Sequence, residues 1–390
     1  MNKLDELVCT CCPNGVEHIT IGQLIKQKKI ATITPSIKVK RNDYLVNGST
    51  PIISQEVEYI SGYCNLDDEN IPKDNYVCFG DHSEHIKYVD FAFVQGADGL
   101  KILRTDETAI SARYLFHAAS NCYCRRNNYE RHFKYFTDTM IPLPPLPVQQ
   151  EIVRILDNFT ELTAELTAEL TARQKQYEHY RDELLTFGDD VPKMEVGKLF
   201  SVRNGYTPSK SNAAFWENGT IPWIRLEDIR ISGRILHGGI QKVTPLAVKR
   251  NGIFPAGSVI ISTTATIGEH ALLMVDALTN QQITCLTIRS EYTEKLLPKF
   301  VFYYAFVLGE WCKKNVNQGG GLPIIGTEKI KTFLFPVPDV EIQRHIISVL
   351  DRFDTLCNDL TSGLPAEIAA RQKQYEYYRD KLLTFGEKEN

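Results

Sequence analysis

The stretch ARQKQYEHYRDELLTFG at Ala172–Gly188 returns as ARQKQYEYYRDKLLTFG at Ala370–Gly386, differing only at His179/Tyr377 and Glu183/Lys381. Chance does not produce such agreement, so the chain carries a duplication. The match extends upstream, where IPLPPLPVQQEIVRILDNF at Ile141–Phe159 parallels FPVPDVEIQRHIISVLDRF at Phe335–Phe353. Four-residue units fill the space between the two blocks. In the first copy they end at Leu162, Leu166 and Leu170; in the second, one unit longer, they end at Leu356, Leu360, Leu364 and Ile368.

Good helix formers dominate these stretches, and an apolar residue at every fourth position lays a stripe along one helix face. Prolines precede each copy (Pro142, Pro144, Pro145, Pro147; Pro336, Pro338) and a glycine follows it (Gly188; Gly386), which are helix-boundary signals. One helix is therefore expected over about 148–187 and another over about 341–385, the second kinked or broken at Gly363 and Pro365. Such stripes need a partner, and an antiparallel coiled coil is the simplest one, although a four-residue step is not a heptad.

The regions before the helices also correspond. GVEHITIGQL at Gly15–Leu24 matches DVPKMEVGKL at Asp190–Leu199, and NGSTP at Asn47–Pro51 is set against NGYTP at Asn204–Pro208. LDEL at Leu4–Leu7 echoes RDEL at Arg181–Leu184, as if the chain began with the tail of a third helix copy. A roughly two-fold cyclic arrangement follows as the expectation. Short β runs (Tyr76–Phe79, Phe91–Val94, Ser258–Ser262, Ala271–Val275, Ile283–Ile288) and helical patterns near 111–119 and 295–307 give each region an α+β texture. The expected division is 1–140 and 191–334 as two similar globular regions, with 141–190 and 335–390 as the long helices.

At 390 residues the chain exceeds one ordinary core. No segment has the roughly 18 uncharged apolar residues of a membrane span, and MNKLDELVCTCC lacks the order of a signal peptide, so a cytoplasmic protein is expected. The ten cysteines are scattered; Cys9 and Cys12 stand at C-x-x-C spacing but no second such pair accompanies them, which points to free thiols and no metal. The net charge of −4 is unevenly spread: −2 over 1–140, −6 over 141–190, +7 over 191–334 and −3 over 335–390. Attraction to phosphate is thus expected of the second region and only weakly of the first.

No catalytic motif is visible: no G-x-x-x-x-G-K-[ST] phosphate loop, no H-E-x-x-H, no dinucleotide-type glycine turn and no N-P-P-[FY] for holding a base. Asp81–His85 reads as a surface turn. Polar and basic loop clusters remain. In the first region they are Lys38, Lys40, Arg41 and Asn42, then Arg125, Arg126, Asn127 and Asn128. In the second they are Arg203, Asn204, Thr207, Ser209, Lys210 and Asn212; Trp223 and Arg225; Thr263, Thr264 and Thr266; Gln281 and Gln282; and Lys313, Lys314, Asn317 and Gln318. Arg, Asn and Gln can read base edges bidentately, while Lys, Ser and Thr hold phosphates.

With these residues assembled, the chain resembles the specificity subunit of type I restriction–modification enzymes over essentially its whole length. The resemblance rests on the two A-R-Q-K-Q-Y-E-[HY]-Y-R-D-[EK]-L-L-T-F blocks, the T-A-E-L units, and NGYTP followed by FWENGTIPWI at Phe215–Ile224. It implies a non-catalytic protein with two target recognition domains, each reading one half of a bipartite DNA site. It also implies two spacer helices that meet partner subunits, with Leu162, Leu166, Leu170, Gln174, Tyr177, Leu356, Leu360, Ile368, Gln372 and Tyr375 as spacer or partner-facing residues. S-adenosylmethionine, ATP and Mg would belong to those modification and motor–nuclease subunits, and this chain would hold no cofactor. The first region lacks the FWxNG…PWI run, so the two half-sites should differ. A stand-alone DNA-binding regulator, a coiled-coil scaffold and a self-sufficient methyltransferase are the competing readings.

Overall fold

A computed structural model describes residues 3–66, 71–97, 99–249, 252–317, 323–359 and 361–386. Two compact units divide the chain: residues 1–168 with 366–390, and residues 169–365. Each unit therefore combines a globular region, the opening half of the helix that follows it, and the closing block of the other helix copy.

The first unit opens with α1 (Lys3–Cys11), β1 (Glu17–Thr20) and α2 (Ile21–Lys26), where Thr20 and Gln23 form a capping box. Then come β2 (Ile30–Ile33), β3 (Thr50–Ile53), β4 (Gly62–Cys64), β5 (Tyr76–Gly80), β6 (Ile86–Val89), β7 (Val94–Gln95) and β8 (Leu100–Thr105). Next follow α3 (Ala112–Cys122), α4 (Phe133–Asp138), β9 (Met140–Leu143) and the 39-residue α5 (Leu146–Leu184). The sheets are ordered β1-β9, β2-β8-β5-β6 and β4-β3-β7. β5 is buried at every position, as a strand covered on both faces must be.

The second unit repeats this plan with β10 (Lys193–Glu195), α6 (Val196–Leu199), β11 (Phe200–Asn204), β12 (Ile221–Ile224), α7 (Leu226–Ser232), β13 (Ile235–Leu236), β14 (Gln241–Val243), β15 (Val259–Ser262), β16 (His270–Leu273), β17 (Leu278–Thr279), β18 (Ile283–Ile288), α8 (Pro298–Lys314), α9 (Thr327–Lys331) and β19 (Leu334–Pro336). Its sheets run β10-β19, β11-β18-β15-β16-β13 and β14-β12-β17. The strand orders coincide with those of the first unit apart from the added β13. Both globular regions are α+β, as expected.

Side chains show the duplication more deeply than the repeated blocks do. Gln149 on α5 and Gln343 on α10 (Val340–Asn358) are both fully buried. Gln149 accepts from Ser111 N at 3.0 Å and donates to Pro144 O at 2.8 Å; Gln343 accepts from Leu297 N at 2.9 Å and donates to Pro338 O at 2.8 Å. Each amide thus clamps the entry of α3 or α8 to the start of the long helix. Eight residues further along, Asp157 binds Arg113 and His117, each at 2.9 Å, and Asp351 binds Lys299 and Tyr303, each at 2.6 Å. In both units the two partners stand one helical turn apart.

One correspondence changes. NGSTP at Asn47–Pro51 leads into β3, whereas NGYTP at Asn204–Pro208 leaves β11. The matching turn is NGTIP at Asn218–Pro222, since β3 and β12 take the same parallel partner, Ile53 facing Gln95 and Ile224 facing Thr279. Gly48 and Gly219 are glycine for one reason: a Cβ would come within 2.8 Å of Cys64 O or 2.5 Å of Lys242 O.

The first long helix runs as expected. The second is two helices, α10 and α11 (Leu364–Leu382), so the anticipated break is real. Asp359 draws the connection tight, accepting from the backbone and hydroxyl groups of Thr361 and Ser362, and Pro365 stands in the first turn of α11, where its missing N–H is harmless. Leu162, Leu166 and Leu170 are half-buried. The threonines beside them bond back one turn, Thr163 to Phe159 O at 2.8 Å and Thr167 to Thr163 O at 2.7 Å, which suits hydroxyls inside a helix. Leu356 is 36% exposed and Ile368 half-buried; Leu360 lies outside the described residues.

Within the first unit, Phe159 of α5 stacks on Tyr378 of α11 at 5.3 Å, and Leu156 shares a core with Leu382 and Leu383. Within the second, Tyr177 and Tyr180 of α5 meet Phe353 of α10, and Leu185 shares a core with Ile346 and Leu350. The numbers rise along one helix as they fall along the other, so both pairs run antiparallel. Gly386 O accepts from Val16 N at 3.0 Å, which ties the chain's closing glycine to the segment after α1. Among the described residues, no helix is long and apolar enough to cross a membrane.

Candidate nucleic-acid interface

In the second unit, antiparallel pairing of β18 with β11 and β15 places the end of β11, the end of β15 and the start of β18 at one edge of the sheet. Most of the clusters chosen from the sequence meet there. Asn204 accepts from Thr284 at 2.7 Å, Thr207 donates to Gln281 at 2.6 Å, and Gln282 accepts from Asn280 at 3.2 Å. Asn280 N bonds Ile224 O at 3.1 Å, which brings Arg225 to the same edge, and Ile324 bridges both Thr264 and Asn317. Asn204, Thr207, Gln281, Gln282 and Asn317 are exposed. The amides of Asn204, Gln281 and Gln282 are thus held by short polar links while the side chains stay exposed, an arrangement suited to reading base edges.

The same geometry removes some candidates. Thr263 is 3% exposed, with its backbone and hydroxyl committed to Gln282 O. Arg203 lies 4.2 Å over the Phe254 ring and donates to Ile253 O at 2.6 Å, so it braces the sheet. Arg225 is half-buried and pairs with Glu227 at 2.8 Å. Asn212 caps a short turn through Ala214 N, and Ser209 bonds Ser211. Lys210 and Lys314 are exposed, while Lys313 pairs with Glu310 at 2.6 Å. Gln318 lies outside the described residues.

The first unit gathers its clusters at the equivalent edge. Lys38, Lys40, Arg41 and Asn42 are exposed; Lys38 bridges Gln95, and Arg41 pairs with Glu56 at 3.2 Å. The neighbouring Gln55 accepts from His82 N at 3.1 Å, linking this loop to the 81–85 turn. That turn is no surface feature, since Asp81 and Glu84 are 4% and 3% exposed. Asp81 accepts from Phe133 N at 2.8 Å at the start of α4. Glu84 accepts from Tyr123 Oη at 2.6 Å, Arg126 N at 2.9 Å and Asn127 N at 2.8 Å. Burial raises the Glu84 pKa, but these donors together with the nearby His132 outweigh it and hold the carboxyl below its ordinary value. The anion therefore bolts down the loop that carries Arg125 and Asn127. Arg125 stays exposed beside His85, while Arg126 stacks over Tyr135 at 3.7 Å.

Sequence reasoning missed Gln55, His82, His85 and Tyr129 at this edge. None is a charged repeat, and only the fold brings 55, 82–85 and 125–129 together.

On the helices, Tyr177 is 7% exposed and Tyr375 half-buried, each packed against the core of its own unit. Tyr177 is thereby withdrawn from any partner-facing set. Gln174 and Gln372 are exposed.

The family described as Type I restriction modification DNA specificity domain matches this chain twice, at residues 13–173 and 188–370. The specificity subunit of the Escherichia coli type I restriction enzyme EcoR124I/EcoR124II is 33% identical over 396 residues, 96% of this chain and 95% of that protein. The EcoprrI specificity subunit, also of E. coli, is 46% identical over 214 residues, 53% of each chain. The crystal structure of the type I restriction–modification S subunit from M. genitalium shares the fold, with a TM-score of 0.60 at 12% identity, covering 94% of this chain and 96% of that one. Two family matches, one on each of two units with the same strand order, leave one conclusion: the chain belongs to the type I restriction–modification DNA specificity family.

Proposed function

We propose that this chain is the sequence-specific DNA-recognition subunit of a type I restriction–modification complex, each globular region reading one half of a bipartite, gapped target. The observation that carries this reading is the duplicated sheet edge, which gathers exposed amide and cationic side chains in both units. In this reading 1–140 and 191–334 are the target recognition domains, and 141–190 and 335–390 are spacer helices that dock methyltransferase subunits. The chain is non-catalytic and binds no cofactor; S-adenosylmethionine, ATP and Mg reside on the modification and motor–nuclease subunits, and the complex works in the cytoplasm.

The acidic helices and the near-neutral first region disfavour tight binding by the chain alone. Gel shifts at physiological salt check this. Weak binding alone and tight, sequence-specific binding with the modification subunits is the expected result. Tight specific binding by the chain alone would favour a stand-alone regulator, and no binding in either state would favour a scaffold.

A further inference from the structure

One side chain at the first unit's sheet edge is unexplained by packing. Tyr129 is 92% exposed, although an aromatic ring is among the side chains that gain most from burial. It is nonetheless ordered from behind: its ring stacks on His82 at 5.4 Å and 17°. His82 is itself held on two sides, Nδ1 lying 3.0 Å from Glu130 O and its backbone N–H bonding Gln55. The loop below is anchored by the buried Glu84 carboxylate, and Asn127 takes a left-handed φ of 56° to reach it. Arg125, Arg126, Arg131 and Lys134 are exposed along the same segment against one half-buried carboxylate, Glu130, which accepts from Asn128 at 2.9 Å, so the ring projects from a locally cationic surface, while the nearby Glu84 charge is buried and met by three donors.

We propose that Tyr129 is a specificity-determining DNA contact of the first recognition region. Its ring meets the sugar or base edges of one half-site while the flanking arginines meet phosphates. The inference rests on the DNA-recognition reading above. A duplex is favoured over a protein partner because the surrounding charge is cationic and because the ring's support, His82 on Gln55, adjoins Glu56, which pairs with Arg41 of the 38–42 cluster.

The test uses the full chain assembled with its modification subunits, as wild type, Tyr129→Ala and Tyr129→Phe. Methylated adenines are mapped in cells, and the purified complexes are titrated against duplexes with either half-site scrambled. Tyr129→Ala is expected to weaken cognate binding by about 10-fold or more and to relax or abolish readout within one half-site only, with an unchanged unfolding midpoint. Tyr129→Phe, which keeps the ring and its stack, is expected to stay within about 3-fold of wild type. Wild-type affinity and motif in Tyr129→Ala would overturn the proposal, as would equal loss on cognate and fully scrambled duplexes. A wild-type complex that methylates one contiguous motif is a different failure, that of the DNA-recognition reading itself.

Discussion

Buried polar side chains define the residue scale. Replacing Gln343 with Ala would strand Leu297 N–H and two carbonyls inside the second unit, and a loss of about 3 kcal/mol is expected by denaturant unfolding. Gln149→Ala should cost a similar amount in the first unit, because its partners are equivalent. Glu84 adds a pH dependence. Its folded pKa is depressed, so its stabilisation is complete above the ordinary carboxylate value of 4.5 and is lost as pH falls from there through the folded pKa. Thermal unfolding of the Glu84→Gln complex between pH 3 and 7 should show a lower midpoint at pH 7 and a shallower acid decline than wild type. These roles were illegible in the sequence. Gln149 and Gln343 sit in helical stripes where polarity reads as exposure, Glu84 sits in a run that reads as a turn, and Arg203 reads as a base-edge contact until Phe254 lies beneath it. The exposure of Asn204, Gln281 and Gln282 was legible, because amides beside strand ends are rarely buried.

At the scale of elements, the outer ends of the long helices were readable to within about three residues, since composition, four-residue step and proline–glycine punctuation agree. The break was readable too, because Gly363 and Pro365 interrupt a pattern the other copy keeps. Gly363 is needed there: a Cβ would approach Thr355 O to 2.5 Å and Asp359 O to 2.8 Å. Gly363→Ala should therefore destabilise the α10–α11 connection by about 1–3 kcal/mol, read as a lower unfolding midpoint. The short strands were less legible. Leu100–Thr105 and Ile86–Val89 carry no turn chemistry sharp enough to place them, and NGSTP shares four letters with NGYTP although strand pairing makes NGTIP its counterpart. One further helix prediction concerns spacing. A four-residue insertion lengthens a helix by about 6 Å and turns it about 40° past a full turn, close to the 34–36° of one base-pair step. Inserting T-A-E-L after Leu170 should lengthen the unspecified gap in the target by one base pair, and methylome sequencing of the variant reads the gap directly.

For the molecule as a whole, the duplication has two parts with different duties. The near-identical blocks each supply a tyrosine to the core of one unit, Tyr177 and Tyr375, and leave most of their other positions exposed. The diverged regions keep the same strand order and the same buried clamps yet present different edges: amides and threonines in the second unit, arginines, lysines and an exposed tyrosine in the first. Two such edges on one chain predict two different half-sites. The direct measurement is mapping methylated adenines in cells that express this chain with its modification subunits. Two dissimilar half-sites separated by a fixed unspecified gap are the expected result, and a single contiguous motif would contradict it.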